Sequence, residues 1–145
     1  MKYRFRLSAA AAAVSLAACG AIAVSASPAA SSTASTSSTA AAAATCFGYT
    51  GSLNGYGADL VDWQYGPDEC FGVAPSGSIW HTWSGAGSWK EMPGNGRALR
   101  FVDYFENSAG KAVKVVTETG NYYCNYDDYA TNTWGGWYGT TTNGC

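Results

Sequence analysis

The hydrophobic pattern of the chain changes from one long apolar run near its start to short alternating runs after Cys46. In one such run Val113 and Val115 fall on one face, whereas Lys114 and Val116 fall on the other. A period of two is typical of β-strands, and nothing after Cys46 has the 3.6-residue period of an amphipathic helix. The pattern therefore predicts an all-β domain of short strands.

Turn sequences give the order of these strands. The predicted strands cover residues 70–75, 78–83, 99–106, 111–118, 122–126 and 133–138. They are separated by Ser76-Gly77, by residues 107–110 and by Gly120-Asn121, and such short connections are typical of hairpins. Because hairpins join antiparallel neighbours, we expect a small antiparallel meander or sandwich.

Two segments of this region are alike at an offset of 43 residues, which grows to 45 after a two-residue insertion. The first contains Val73, Gly77, Ile79-Trp80, Trp83, Trp89 and Met92, and the second contains Val116, Gly120, Tyr122-Tyr123, Tyr126, Trp134 and Trp137. A repeat of this length suits a propeller blade, although two units cannot close a ring. Two interpretations stay open, a pair of blade-like units packed as a sandwich and a coincidental likeness.

Four cysteines remain once the first 26 residues are set aside: Cys46, Cys70, Cys124 and Cys145. An even number in a small secreted domain implies two disulfides, for which three pairings are possible. We favour Cys46–Cys70 with Cys124–Cys145, because each closes a local loop. Each bond of this kind contributes about 2–4 kcal/mol to stability. The chain has no Cys-x-x-Cys motif and a single histidine, so we predict no metal and no cofactor.

The start of the chain is typical of a secretory signal. Lys2, Arg4 and Arg6 precede an apolar run over residues 7–24, and Val24-Ser25-Ala26 fits the small-residue rule for cleavage before Ser27. We therefore expect residues 1–26 to be removed and the protein to be secreted. The alternative is a lipoprotein, since Leu16-Ala17-Ala18-Cys19 also fits a lipidation box with Cys19 as a surface anchor.

The next segment has a different composition. Residues 27–45 contain Ser, Thr, Ala and one Pro, without any charged, aromatic or large aliphatic side chain. Such a segment cannot bury enough apolar surface to offset the entropy of ordering, so we predict a disordered tether. The folded domain is then expected to cover residues 46–145.

Removal of the signal changes the charge of the protein. The mature protein would keep all ten acidic residues and five basic residues, so its net charge would be −5. The five basic residues are Lys90, Arg97, Arg100, Lys111 and Lys114. Nucleic acids and anionic membrane surfaces require clustered Lys and Arg, so we predict neither as a partner. No membrane span is predicted, and the sequence makes no prediction of the oligomeric state.

Aromatic content is the strongest chemical signal in the sequence. All six tryptophans and nine of the ten tyrosines follow Cys46, which is more ring surface than one small core can bury. Exposed aromatic patches usually mark binding sites, and sugar rings stack on such platforms. The predicted ligand-binding residues are Trp80, Trp83, Trp89, Trp134, Trp137 and Tyr126 for stacking, with Asn125 and Asp127 for hydroxyl contacts.

Catalytic patterns are weak by comparison. His81 lies on a predicted strand with apolar neighbours, and no nucleophile elbow accompanies it. A carboxylate pair of the glycosidase type could be drawn from five residues, but their spacing selects none: Asp59, Asp62, Glu91, Asp103 and Glu106. Asp127-Asp128 lacks the spacing of a calcium loop. We therefore predict that the protein is not an enzyme.

Gly77, Ile79-Trp80 and Trp89 carry a resemblance to the repeats of tectonin-type propeller lectins. In those repeats a glycine hairpin precedes an aromatic strand and a tryptophan-rich return. With the second segment included, the resemblance covers about 65 residues. It implies glycan binding in the loops near Trp89 and Trp134.

The chain is also similar in layout to tendamistat-type α-amylase inhibitors, which are small secreted actinobacterial β-sandwiches with two disulfides. The similarity rests on the order of the cysteines, on Trp63-Gln64-Tyr65 before Cys70, and on the run at residues 113–116. The family's inhibitory Trp-Arg-Tyr falls on Trp63-Gln64-Tyr65. Gln64 stands in place of the arginine, and a long insert separates Cys70 from Cys124, so the resemblance implies the fold more strongly than the inhibition.

Two function classes follow from these observations. The first is a secreted, non-catalytic module that recognises an extracellular glycan or cell-wall polysaccharide through exposed aromatic side chains. The alternative is a protein-directed module, either an enzyme inhibitor that acts through Trp63-Gln64-Tyr65 or an adaptor subunit of a secreted complex such as a toxin particle. A surface structural protein without a specific ligand is a third interpretation.

Overall fold

The structure, a computed structural model, describes residues 40–145 and contains ten β-strands and no helix among them. In chain order the strands are β1 (Ala42–Cys46), β2 (Tyr49–Leu53), β3 (Ala58–Val61), β4 (Glu69–Val73), β5 (Ile79–Trp83), β6 (Lys90–Glu91), β7 (Arg100–Asn107), β8 (Gly110–Val116), β9 (Tyr122–Asp128) and β10 (Thr133–Thr140). The predicted signal peptide, the alternative anchor at Cys19 and most of the predicted tether lie outside the described residues.

All strand pairs are antiparallel, and they form one hairpin and two sheets. β1 pairs with β2, the first sheet has the order β3-β4-β5-β6, and the second has the order β10-β9-β8-β7. The six strands that the sequence pattern predicts are present as β4, β5 and β7 to β10, with bounds shifted by a few residues. The predicted all-β antiparallel fold is therefore confirmed.

The two sheets are meanders with the same order of strands, and they share one turn geometry. The N–H of Ala74 donates to the carbonyl of Ser78 (2.8 Å), and the N–H of Thr117 donates to the carbonyl of Asn121 (2.9 Å). Each turn contains a glycine with positive φ, 84° at Gly77 and 83° at the equivalent position 43 residues later. The two similar sequence segments thus occupy equivalent places in the two sheets.

The sheets pack face to face around a core of buried apolar side chains. These side chains are Trp63, Phe71, Val73, Ile79, Met92, Ala98, Phe101, Val113 and Val115. Phe71 of β4 lies at the centre, with its ring centroid 5.4 Å from that of Phe101 and 6.1 Å from that of Trp134 in the second sheet. The architecture is therefore a β-sandwich in which this ring contacts both layers.

A second apolar cluster lies on the outer face of the first sheet, under the β1–β2 hairpin. It consists of Cys46, Leu53, Ala58, Cys70 and Trp89, with Ala44, Tyr49 and Trp80 packed against it. Leu53 lies so close to Gly72 that a Cβ at that glycine would collide with its side chain. The first sheet is therefore covered on both faces.

The hairpin also shifts the boundary of the folded domain. β1 begins at Ala42, four residues before the predicted start at Cys46. Its Ala and Thr residues form a strand because β2 supplies backbone partners, and because Thr45 and Thr50 share a hydroxyl hydrogen bond of 2.8 Å. The order in this segment comes from pairing, since its side chains bury little surface.

Both predicted disulfides are confirmed. Cys46–Cys70 joins the hairpin to β4, and Cys124–Cys145 joins β9 to the C-terminal residues. Disulfides persist in oxidising compartments, so the pairing indicates an extracytoplasmic environment. Residues 40–145 include no helix long and apolar enough to cross a membrane.

Candidate functional site

Trp89, a predicted stacking residue, lies in the second core with 9% of its surface exposed. Its Nε1 donates a 3.0 Å hydrogen bond to the carbonyl of Tyr49, and its indole leaves no room for a Cβ at Gly51. With Gly87 two residues before it, this tryptophan is predicted in a loop, either as an exposed platform or as a side chain that reaches back into the core. The structure places its ring beneath the hairpin, where a surface ligand does not reach it.

Trp80 and Trp83 lie on opposite faces of β5, as the period of two predicts, and both are half-buried. Trp80 packs against the second core, and its Nε1 donates a 2.8 Å hydrogen bond to the hydroxyl of Ser78. The ring of Trp83 lies 5.1 Å from that of His81. Both indoles are thus held by neighbours within the first sheet.

Trp134 and Trp137 of β10 are half-buried and pack against the core between the sheets. The indole of Trp137 lies against Gly96, where any Cβ would collide with it. Its Nε1 is buried and has no hydrogen-bond partner among the residues that the structure describes. These two tryptophans close one side of the sandwich and are not free platforms.

Asn125 and Asp127, predicted for hydroxyl contacts, are buried on the inner face of β9. The side-chain oxygen of Asn125 accepts a 2.9 Å hydrogen bond from the N–H of Gly136, and its Nδ2 donates to the carbonyl of Pro93 at 3.3 Å. Tyr126 points to the opposite, outer face. Among the predicted stacking residues it is therefore the one that belongs to the outer face of the second sheet.

That outer face is rich in aromatic side chains. Ala112 of β8 lies directly between Phe105 of β7 and Tyr126 of β9 in the strand register. Together with Tyr138, which is 45% exposed, they line one shallow surface depression beside Cys145. We name the set Phe105, Tyr122, Tyr126 and Tyr138 the aromatic face.

Two features fix the rings of the aromatic face. The Nζ of Lys114 lies 5.3 Å from the ring centroid of Tyr122, within the range of a cation–π interaction. The hydroxyl of Tyr126 lies over Gly110, where a Cβ would displace it. The strand register also places Lys114 opposite Asp103, so charged groups lie among the rings.

The covering of the aromatic face differs from that of the first sheet. Within residues 40–145 no strand lies over it, and its neighbour is the short C-terminal segment after β10. The disulfide Cys124–Cys145 ties that segment down, and the hydroxyl of Thr140 donates to the carbonyl of Gly144 at 2.7 Å. Aromatic surface therefore stays exposed at Tyr138.

The loop between β3 and β4 carries the predicted inhibitory residues and separates them. Trp63 is buried, with its Nε1 donating a 3.1 Å hydrogen bond to Glu69 Oε2. Gln64 and Tyr65 are exposed, the latter at 54%. Their backbone N–H groups donate to the two oxygens of Glu106 at 2.6 and 2.8 Å. Two of the three side chains are thus presented on a loop held by a carboxylate.

A buried cluster of charged groups lies at the same end of the sandwich. Lys111 Nζ is 2.8 Å from Glu69 Oε2 and 3.6 Å from Asp127 Oδ2. His81 Nδ1 lies 3.4 Å from Glu69 Oε1, longer than a standard hydrogen bond. These side chains are all at least nine-tenths buried, so the cluster joins the two sheets inside the core.

Aromatic rings enclose the ammonium group of this cluster. Lys111 Nζ lies 5.4 Å from the ring centroid of Trp63, 5.5 Å from that of Trp134 and 5.9 Å from that of Tyr129. Such rings exclude water and attract a cation through their faces. The charges therefore interact in a medium of low polarity, where each strongly affects the others.

The environment shifts the pKa values of both carboxyl groups, in opposite directions. Burial acts to raise the pKa of Glu69, but His81 and Lys111 outweigh it and hold that pKa below 4.5. Burial raises the pKa of Asp127, and Lys111 offsets this incompletely. The two acids of the cluster thus differ in their tendency to hold a proton.

Sequence reasoning did not single out Glu69 or Lys111. A signal was nevertheless present, because Lys111 has the same parity as Val113 and Val115 on a predicted strand, and is therefore placed on the inner face. Glu69, the partner from the first sheet, has no such signal in the sequence, because its distance from Lys111 depends on how the two sheets stack.

The other acidic candidates serve local contacts. Asp59 accepts a 2.8 Å hydrogen bond from the hydroxyl of Tyr104, and Glu91 forms an exposed ion pair with Arg97 at 3.2 Å. Asp128 accepts the N–H of Ala130 in a turn. Across the described part of the chain, no group of three or more His, Cys, Asp or Glu side chains could hold a metal ion.

Comparison with known proteins adds no further assignment. No protein-family model matches the chain, and no curated protein or solved structure matches it either. The candidate sites are therefore defined by geometry alone.

Proposed function

We propose that the protein is a secreted, non-catalytic module that binds an extracellular polysaccharide through the aromatic face. One observation carries the proposal: Phe105, Tyr126 and Tyr138 line one open depression on a sheet face that no described strand covers. The equivalent face of the first sheet is buried under a hairpin. Aromatic surface left open in a small domain usually marks a binding site.

The chemistry of the aromatic face suits hydroxyl-rich ligands. Tyrosine offers an apolar ring for the C–H face of a sugar and a hydroxyl that donates or accepts hydrogen bonds. Asp103 adds a carboxylate within the same face, and the buried ammonium group of its register partner Lys114 lies against the ring of Tyr122. The expected net charge of −5 after signal removal opposes binding of phosphate-rich polymers.

The shape of the face favours an extended polymer over a small molecule. Tyr122 and Tyr126 lie four residues apart on β9, which places them about 13 Å from each other along the strand. Small-molecule sites are concave and enclose most of their ligand, whereas this surface is shallow. A chain of several sugar units would contact both rings at once.

Secretion is part of the proposal. The two disulfides fit an oxidising compartment, and the first 26 residues have the composition of a secretory signal. Cell-wall and matrix polysaccharides are present in that compartment.

A polysaccharide array probed with the secreted, oxidised protein tests the proposal. We expect saturable binding to one sugar class and a loss of about tenfold or more in affinity for Tyr138→Ala, the size expected for an aromatic anchor. Tyr56→Ala is the matched control, because Tyr56 is 53% exposed and contacts Arg100 but does not line the depression. Folded protein that binds no polysaccharide, or Tyr138→Ala protein that binds normally, would refute the proposal.

A second candidate function is inhibition of a secreted enzyme through the loop that carries Gln64 and Tyr65. The observation that favours it is the fixation of both backbone N–H groups by Glu106, since a rigid loop loses little entropy on binding. Stoichiometric inhibition of a secreted hydrolase that fails in Tyr65→Ala but persists in Tyr138→Ala would support this candidate over the first.

A further inference from the structure

A primary amine and a carboxyl group face each other inside the core, on directly paired strands. Lys111 of β8 and Asp127 of β9 are register partners, with 3.6 Å between Nζ and Oδ2. Glu69 reaches them from the opposing sheet, with Oε2 2.8 Å from the same Nζ. The arrangement brings a nucleophile, an electrophile and a proton acceptor to one point.

The hydrogen bonding around Asp127 is incomplete for a simple ion pair. Its Oδ1 is buried and has no hydrogen-bond partner within the described residues. Lys111 lies closer to Glu69 than to this carboxyl group. A buried carboxylate oxygen without a partner is costly and calls for an explanation.

We propose that Lys111 and Asp127 form an intramolecular isopeptide bond, with Glu69 transferring the protons. The bond would join β8 to β9 inside the sandwich, as a covalent link additional to the two disulfides. It requires no cofactor, oxidant or activating group, because the leaving group is water.

The reaction balances in atoms and charge. Glu69 takes one proton from the ammonium group, and the neutral Nζ of Lys111 attacks Cγ of the protonated Asp127 carboxyl group. The C–O bond then breaks, and the hydroxyl leaves as water with a second amine proton relayed by Glu69. The third amine proton remains on the amide nitrogen, and the surplus proton rests on Glu69.

The surroundings shift the pKa values of the two carboxyl groups in the directions that this reaction needs at its start. Burial raises the pKa of Asp127, so its carboxyl group retains a proton more readily. Although burial acts to raise it, the pKa of Glu69 lies below its usual value because of His81 and Lys111, so this group starts as a carboxylate. Rings of Trp63 and Trp134 beside Nζ exclude water, which protects the intermediate from hydrolysis.

Two neighbours act as positioning residues for Glu69. Trp63 donates to Oε2, the oxygen that contacts Lys111, and His81 lies 3.4 Å from the other oxygen. These two contacts fix the carboxylate of Glu69, the first residue of β4, so that it contacts the amine of Lys111 on β8. Strand pairing holds the two reacting residues opposite each other, and effective concentrations in such fixed pairs are high.

Intact mass spectrometry of the secreted protein tests the proposal directly. We expect a mass one water molecule lower than that calculated for the disulfide-bonded chain. After the disulfides are reduced, the protein should show the same deficit of one water molecule against the calculated mass of the reduced chain. Tandem mass spectrometry should place the loss in a branched peptide that joins Lys111 to Asp127, and trypsin should not cleave after Lys111. A folded protein with the full mass would overturn the proposal and leave a buried ion pair only.

Substitutions test which residues take part in forming the bond. Lys111→Arg keeps a cation but removes the nucleophile, so we expect the full mass. Glu69→Gln keeps the shape but removes the proton acceptor, so we expect most of the protein to remain unreacted. Lys114→Arg is the matched control on the opposite face of the same strand and should still lose water. Water loss that persists in Lys111→Arg, or that maps to another residue, would overturn the proposal even if Glu69→Gln fails to fold.

Discussion

The two sheets of this protein share strand order and turn geometry but differ in what covers their outer faces. The first sheet is covered by the β1–β2 hairpin and its disulfide, which buries Leu53 and Trp89. The second leaves Tyr126 and Tyr138 beside a short C-terminal segment. Two like meanders thus differ in their outer faces: the hairpin buries apolar side chains on one, and aromatic side chains stay partly exposed on the other.

The sheets also contribute differently to the charge cluster between them. The first provides Glu69 and His81, and the second provides Lys111 and Asp127. The closest contact, 2.8 Å, crosses from one sheet to the other. Changes on either sheet should therefore disturb the interface unless they lie on the outer faces.

The largest expected loss of stability comes from breaking the buried charge cluster between the two sheets. In the Asp127→Ala protein, which cannot form the proposed bond, adding Glu69→Ala leaves Lys111 buried without its closest partner. This change should lower the free energy of unfolding by about 3–5 kcal/mol. Glu91→Ala, the control, removes half of an exposed ion pair and should cost about 0–1 kcal/mol. Urea denaturation measures both, and equal losses would contradict the role assigned to the buried cluster.

The second largest expected loss of stability comes from a change under the β1–β2 hairpin, on the covered face of the first sheet. Leu53→Ala opens a cavity under the hairpin and should lower the free energy of unfolding by about 2–5 kcal/mol, as usual for a buried leucine. Thermal or urea unfolding gives the value. A loss below about 1 kcal/mol would show that the hairpin contributes little, and the contrast between the two sheets would then fail.

The open face should behave in the opposite way. Tyr138→Ala is expected to change the free energy of unfolding by no more than about 0.5 kcal/mol, because a largely exposed residue contributes little to the core. The same variant should lose polysaccharide binding. Strong destabilisation by Tyr138→Ala would indicate that the aromatic face is structural.

The smallest effect is on pH dependence, tested in Asp127→Ala, which cannot form the proposed bond. The folded-state pKa of Glu69 lies below its usual 4.5, so this carboxylate stabilises the fold above pH 4.5. The stabilisation is lost as the pH falls through the lower folded-state pKa. Adding Glu69→Gln should flatten the dependence of unfolding free energy on pH in this range, and an unchanged slope would assign it to other groups.

Local features of the sequence were sufficient to predict much of the fold. The period of two and the turns around Gly77 and Gly120 predicted six strands, and the local spacing of the cysteines predicted both disulfides. The strands β1 to β3 and β6 were not predicted. β1 consists of small residues without a hydrophobic pattern, and it becomes a strand because β2 and the second core lie beside it.

The candidate sites were less accessible to sequence reasoning. Glycines near Trp89, Trp134 and Trp137 left open whether these rings were exposed platforms or core side chains, and the structure packs all three against the two cores. Tyr138 drew no attention, although it is among the most exposed aromatic residues of the described domain. Exposure depends on which face another layer covers, and that layer comes from distant parts of the chain.

The sequence by itself determined the alternation of side chains along each strand, the turns and the pairing of nearby cysteines, because these depend on neighbouring residues. Tertiary structure alone decided which sheet face is covered, which aromatic rings are exposed, and that Glu69 meets Lys111 across 42 positions of sequence. The physical reason is that burial and electrostatic contact arise between layers that are distant along the chain. The period of two tells which residues share a face, but only the packed sandwich tells what that face meets.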